Sequence, residues 1–245
     1  EVVAKRDGAV ISSEQDIWIL ESKLEDQPQA DCGCFMEAMD KQTDTAACSS
    51  LVPTTYWTLT RLSDGMSVRP FASTASADSE SSNSFVINGI VENRLLLESC
   101  DGIYACGAAH PSTSCESVAI DLGTGEKSGV AAMAKGVDLD KALSALRAND
   151  ADVEVDSTEG LQVTNLRVKF SGSALFVEAL VTAPACYACS DGEWSSYSVS
   201  TWQGITASEE LPAPVASFYS KAKLSPIWTK VSAENRIAIE AAFAK

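Results

Sequence analysis

The chain has 245 residues with 34 acidic and 18 basic side chains, a formal charge of -16. That charge disfavours nucleic acid and anionic lipid as partners, because both require a basic surface, and it favours cationic ones. Apolar residues make up 45% and charged residues 21%, enough to build a core in one large or two small domains. The single histidine, His110, excludes any site built on two or more. No apolar run approaches the roughly 18 to 20 residues of a membrane-spanning helix, so no membrane insertion is expected.

In chain order, Ser12 or Ser13 is placed to cap a helix with Ile17, Leu20 and Leu24 on one face. Residues 17–20 fit a buried strand equally well, and Gln27-Pro28-Gln29 is expected to break the element. Phe35, Met36 and Met39 then predict a short amphipathic helix between Cys34 and Cys48. From Thr54 the pattern becomes β. Residues 56–60 lead into Ser63-Asp64-Gly65, a hairpin signal, and residues 66–71 follow. The serine-rich stretch 73–84 reads as a mobile loop and as the best internal break, which suggests a segment 1–80 and a domain 81–245.

Strands are expected at 85–91, 94–99, 102–106 and 115–122, with turns at Asn88-Gly89, Asp101-Gly102 and Gly123-Thr124-Gly125. Residues 138–148 are the clearest helix, capped by Asp138, with Leu139, Ala142, Leu143 and Leu146 at helical spacing. Strands follow at 160–170, 174–182 and 193–201. In the first, the change of parity between Leu161, Val163 and Leu166, Val168, Phe170 predicts a bulge near Thr164-Asn165. A last helix is expected from Ser232 through Phe243. Strands, a helix, strands and helices predict an α+β fold with an antiparallel sheet.

The eight cysteines are Cys32, Cys34, Cys48, Cys100, Cys106, Cys115, Cys186 and Cys189. An even count in an acidic chain predicts disulfides and an extracytoplasmic setting: periplasm, cell surface or secreted. The start at Glu1 reads as a mature or trimmed form, and no Asn-x-Ser/Thr sequon is present, which fits a bacterial protein. Eight cysteines allow 105 pairings. They fall in three local groups, 32/34/48, 100/106/115 and 186/189, and two of these hold three cysteines each, so at least one bridge is expected to leave its group. The Cys186–Cys189 spacing also suits metal or redox chemistry, but it lacks a matching second pair and a helix start, so no metal or cofactor is expected.

His110 lies near Ser112 and Ser114, but no Gly-x-Ser-x-Gly elbow accompanies it. A cell-envelope hydrolase using His110 or a carboxylate pair is the enzymatic alternative, and a surface or assembly protein is the structural one. On a strand, Asp150, Asp152, Glu154 and Asp156 would share a face with carboxylates about 7 Å apart. They lack the glycine and terminal glutamate of a calcium loop, and read either as a solvated face or as an acidic patch for a basic protein. Trp194, with Tyr197 and Trp202, is the aromatic anchor expected for a protein or sugar surface.

Tyr104-Ala-Cys-Gly-Ala-Ala-His110-Pro, then Ala119-Ile-Asp121-Leu-Gly-Thr124-Gly125-Glu and a short helix, resembles the RsiV-type extracytoplasmic domain. The resemblance extends loosely over 85–205. It implies an α+β recognition domain near the cell wall, like those of lysozyme-sensing anti-sigma factors and of domains beside peptidoglycan deacetylases. The implied partner is a cationic protein such as lysozyme, or a cell-wall glycan. Asp-Leu-x-Thr-Gly turns also occur in β-propeller blades, which leaves that architecture open.

Overall fold

The computed structural model describes residues 2–5, 8–12, 16–72, 77–108, 111–149, 153–171, 174–185 and 198–210. Three antiparallel meanders follow one another along the chain. The first holds β1 (Val2–Lys5), β2 (Gly8–Ser12), β3 (Ile17–Ala30), β4 (Ser49–Arg61) and β5 (Ser67–Val68), and the second holds β6 (Ser79–Val91), β7 (Arg94–Ala105), β8 (Ser112–Asp121) and β9 (Lys127–Gly129). The third holds β10 (Gln162–Ser171), β11 (Ala174–Pro184) and β12 (Ser198–Glu210). Among the described residues there are two α-helices, α1 (Cys32–Asp40) and α2 (Leu139–Asn149), and neither is long and apolar enough to cross a membrane. The antiparallel sheet expected from sequence is present, but the balance is mostly β rather than an even α+β mixture.

The middle sheet explains the stacking. Its runs Leu95-Leu96-Leu97 and Val118-Ala119-Ile120 are fully or almost fully buried, although successive side chains point to opposite faces. Leu95, Leu97, Val118 and Ile120 join Ile11, Trp18, Leu20 and Leu59 of the first sheet. Leu96 and Ala119 join Leu166, Val177 and Ala179 of the third. A strand buried on both faces needs apolar residues at every position, and these two runs supply them. Further along the same face of β11, Ala183 packs under Leu143 and Leu146 of α2. Asp138 starts that helix by accepting from the Lys141 N–H at 2.9 Å, as its sequence predicts.

The first two meanders close by one plan. In each, the last residue of the penultimate strand donates its N–H across the turn, Arg61 to the Met66 carbonyl at 2.8 Å and Asp121 to that of Glu126 at 3.0 Å. Gly65 and Gly125 close the turns at φ 74° and 78°, a conformation that glycine adopts without a Cβ penalty. Arg61 ties the turns together by donating to the Gly123 carbonyl at 2.6 Å.

Several local expectations change. Residues 17–20 are strand rather than helix, because β2 and β4 pair with them on both sides. Pro28 does not break β3. It pairs opposite Leu51, and Pro53 opposite Asp26, so both prolines fall in pairs of one parity, where the ladder asks for no N–H. Residues 79–84 are not loop but strand, paired with the far half of β7, which continues through Asp101-Gly102. The turn expected at Asn88-Gly89 is a bulge, and the hairpin closes instead at Glu92-Asn93 with φ 48° and 62°. The predicted bulge in β10 lies between Val163 and Asn165. The two bulges meet: the Asn88 amide donates to Oδ1 of buried Asn165 at 2.9 Å, and Gly89 gives Val168 its room. The helix expected at 232–243 lies outside the described residues.

Beyond the stacked core, β3–β4 and β6–β7 run on as two paired arms. Between Glu21 and Gln29 no residue of β3 is buried. Three disulfides occupy this end, Cys32–Cys106, Cys34–Cys48 and Cys100–Cys115. The first joins two of the local cysteine groups, as the three-and-three clustering requires.

Candidate functional site

Of the acidic run, the structure describes Glu154 and Asp156, and Asp150 and Asp152 lie outside the described residues. Val153 bridges to Ala185, and the Glu154 N–H donates to the Pro184 carbonyl at 3.1 Å, so the segment lies against the end of β11. Val155 points in, 8% exposed, and Glu154 and Asp156 point out. Arg147 of α2 holds the segment from the side. It donates to the Val155 carbonyl at 2.7 Å and lies 3.7 Å from the Asp156 carboxylate. The alternation that placed the acids on one face is therefore kept at the two positions described.

Trp194, Tyr197, His110, Cys186 and Cys189 also lie outside the described residues. Trp202 is described and half-buried on the outer face of the third sheet. The Arg167 guanidinium sits 3.5 Å from its ring centroid and is ion-paired with Glu178 at 2.9 Å. This aromatic is engaged within its own sheet.

A feature that motif reading missed lies where the two arms meet. The short β5 leaves residues 54–57 of β4 without a neighbour on that edge, and a groove forms there with Glu25, Tyr56, Trp57, Arg69, Asn83 and Asp101 among its walls. Arg69 lies 4.2 Å from the centroid of the Tyr56 ring and pairs with Glu25 at 2.9 Å. Trp57 stacks on Phe85 at 4.3 Å, and Asn83 donates to the Thr55 carbonyl at 2.8 Å. The free space is about 30 Å³, room for a water but not for a substrate. Tyr56 and Trp57 were legible as strand residues, but nothing local in the sequence brings Glu25, Arg69 and Asn83 to them.

A larger cleft of about 190 Å³ opens between the second and third sheets. Its walls are apolar, from Val91, Met133, Leu166, Val177 and Ile205, with Glu92, Arg94 and Lys135 also lining it. These residues supply no nucleophile paired with a base, which acyl-transfer chemistry requires. Glu98, Cys100 and Cys115 come close enough together to suggest metal ligands, but both sulfurs are committed to a disulfide.

Among the described residues, two carboxylates have shifted titration. Arg61 holds Asp64 down to about 2, mainly through their hydrogen bond. Asp121 is also lowered, first by the Thr124 N–H and then by that of Gly123, both of which its Oδ1 accepts. Each belongs to a hairpin turn, so these shifts report turn structure rather than a catalytic group.

Family models, curated proteins and solved structures were all compared with this chain. None matches. The described geometry is that of polar and acidic surfaces over a closed core. Eight basic residues make ion pairs with eight carboxylates among the described residues, Arg61 reaching both Asp16 and Asp64, and Glu178 shared by Arg167 and Lys169. Over the whole sequence, 34 acids against 18 bases leave a net charge of -16.

Proposed function

We propose that this is a non-catalytic recognition protein acting outside the cytoplasm, with a strongly basic protein as its partner. The net charge of -16 carries the reading, because it concentrates cationic partners around the surface and speeds their encounter. The outward Glu154 and Asp156 support it, with Asp150 and Asp152 extending the acidic run and Trp194 as the aromatic anchor. The three disulfides support the compartment, since such bonds persist where the medium is oxidising. The resemblance of residues 100–148 to RsiV-type domains narrows the partner to a lysozyme-type enzyme near the cell wall.

The test is retention of the purified chain on immobilised lysozyme and on insoluble peptidoglycan. The proposal expects retention on lysozyme, released by salt, and passage over peptidoglycan. Retention on peptidoglycan alone would replace the protein partner with a glycan, and retention on neither would end the functional reading.

A further inference from the structure

The three disulfides among the described residues differ in one respect that bears on chemistry. Cys32–Cys106 and Cys34–Cys48 each place one cysteine inside the protein, Cys32 at 7% and Cys48 at 6% exposure. Cys100–Cys115 places neither there: Cys100 is half-buried, and Cys115 is exposed within a run of exposed residues from Pro111 to Glu116. The pair bridges β7 to β8 at directly opposed positions, with a Cα–Cα distance of 4.0 Å. Strand pairing continues on both sides, Ser99 opposite Glu116 and Asp101 opposite Ser114. Opening this bond therefore leaves the ladder in place, whereas Cys32–Cys106 holds residues 74 apart in sequence.

We propose that Cys100–Cys115 is a thiol–disulfide exchange site, reducible in the folded protein by a dithiol. Exchange needs a thiolate to reach a sulfur, and exposed disulfides are the labile ones. The dithiol's first thiolate attacks the Cys115 sulfur, and the Cys100–Cys115 bond breaks. Cys100 leaves as a thiolate and takes a proton from water. The second thiol, as thiolate, then attacks its own sulfur in the mixed disulfide, releasing Cys115 as a thiolate that is protonated in turn. The dithiol departs as a cyclic disulfide, oxidised by two electrons, and the protein gains two thiols. A partner for the product is already in place. The Cys100 sulfur lies 3.8 Å from Oε1 of Glu98, which can accept the new S–H.

The experiment is a time course of the intact protein in dithiothreitol without denaturant, quenched by alkylation and mapped by peptide mass spectrometry. Cys100 and Cys115 are expected to be labelled about tenfold or more faster than Cys32, Cys34, Cys48 and Cys106, with the far-ultraviolet β signal unchanged. In the Cys100→Ser/Cys115→Ser double variant the fast phase disappears, and the rates at those four cysteines stay as they were. Earlier opening of either other bridge, or loss of all three in one step together with the β signal, would overturn the assignment. Because the wild-type time course decides the order alone, the inference stays testable even if the double variant fails to fold.

Discussion

Single strands of this protein cross two regions held together by different physics. At one end, β3 buries Trp18 and Leu20 and β7 buries Leu95, Leu96 and Leu97 within three stacked sheets. At the other end the same strands bury almost nothing apolar. They are laced instead by Gln29 to Ser81, Asn83 to Thr55, Cys32 to Glu80 and the three disulfides. In the first region burial outweighs the entropy of ordering the chain, at roughly 25 cal/mol for each Å² removed from water. In the second, cross-links lower the entropy of the unfolded chain instead. The comparison teaches that strand length here is not set by apolar patterning: paired arms persist well beyond the core once their ends are tied.

The largest effect is expected from Trp18→Ala. The indole is fully buried and donates to the Leu122 carbonyl at 2.9 Å, so its loss removes a core side chain and leaves an acceptor unpaired. Urea unfolding should show a loss of about 5 kcal/mol, the upper end for such truncations. A loss under about 2 kcal/mol would mean that the sheets do not depend on this contact. Next, Cys32→Ser with Cys106→Ser opens the longest loop, and the chain-entropy account gives about 4 kcal/mol. Amide exchange should then rise in the arms and hardly at all at residues 95–97 and 118–120. Equal loss of protection in both regions would erase the distinction between them.

A smaller cost, about 2 kcal/mol, is expected for Gly89→Ala, whose Cβ would stand 2.2 Å from a Val168 methyl carbon. Val168→Ala in the same chain should recover part of it, and full additivity of the two losses would argue against the contact. The smallest effect concerns pH. Asp121 is lowered in the folded state by the Thr124 and Gly123 N–H groups, so its contribution is complete above the ordinary carboxylate range near 4. It is lost as pH falls through the lowered value. Asp121→Asn keeps an acceptor for those N–H groups but removes the titration, so unfolding curves measured from pH 6 downward should show a shallower acid limb. An unchanged limb would assign the acid sensitivity to other groups.

The core was the more legible of the two regions. The Asp138 cap with Leu139, Ala142, Leu143 and Leu146 gave α2, and the parity change at Thr164-Asn165 gave the β10 bulge, because both are imprinted in local periodicity. The short helix expected between Cys34 and Cys48 is present as α1, which starts earlier at Cys32, although Met36 and Met39 are exposed rather than facing a core. The arms were not legible. Residues 79–84 carry no apolar alternation, and their strand conformation comes from pairing with β7. Pro28 looked like a breaker because only the register shows that its missing N–H is not needed. Asn88-Gly89 carries the strongest short hairpin signal of its segment, yet packing against Asn165 and Val168 uses it for a bulge. The groove at Tyr56 and Arg69 was invisible for a related reason: its walls come from four strands and a loop distant in sequence.

The central functional claim is that the surplus of negative charge serves to recognise a cation-rich protein. It is tested most directly by titrating the intact chain with a strongly basic lysozyme at low and then at moderate ionic strength. The account predicts a measurable affinity that falls about tenfold or more as the Debye length shortens from roughly 14 to 7 Å. An affinity indifferent to salt, or no binding at low salt, would contradict it.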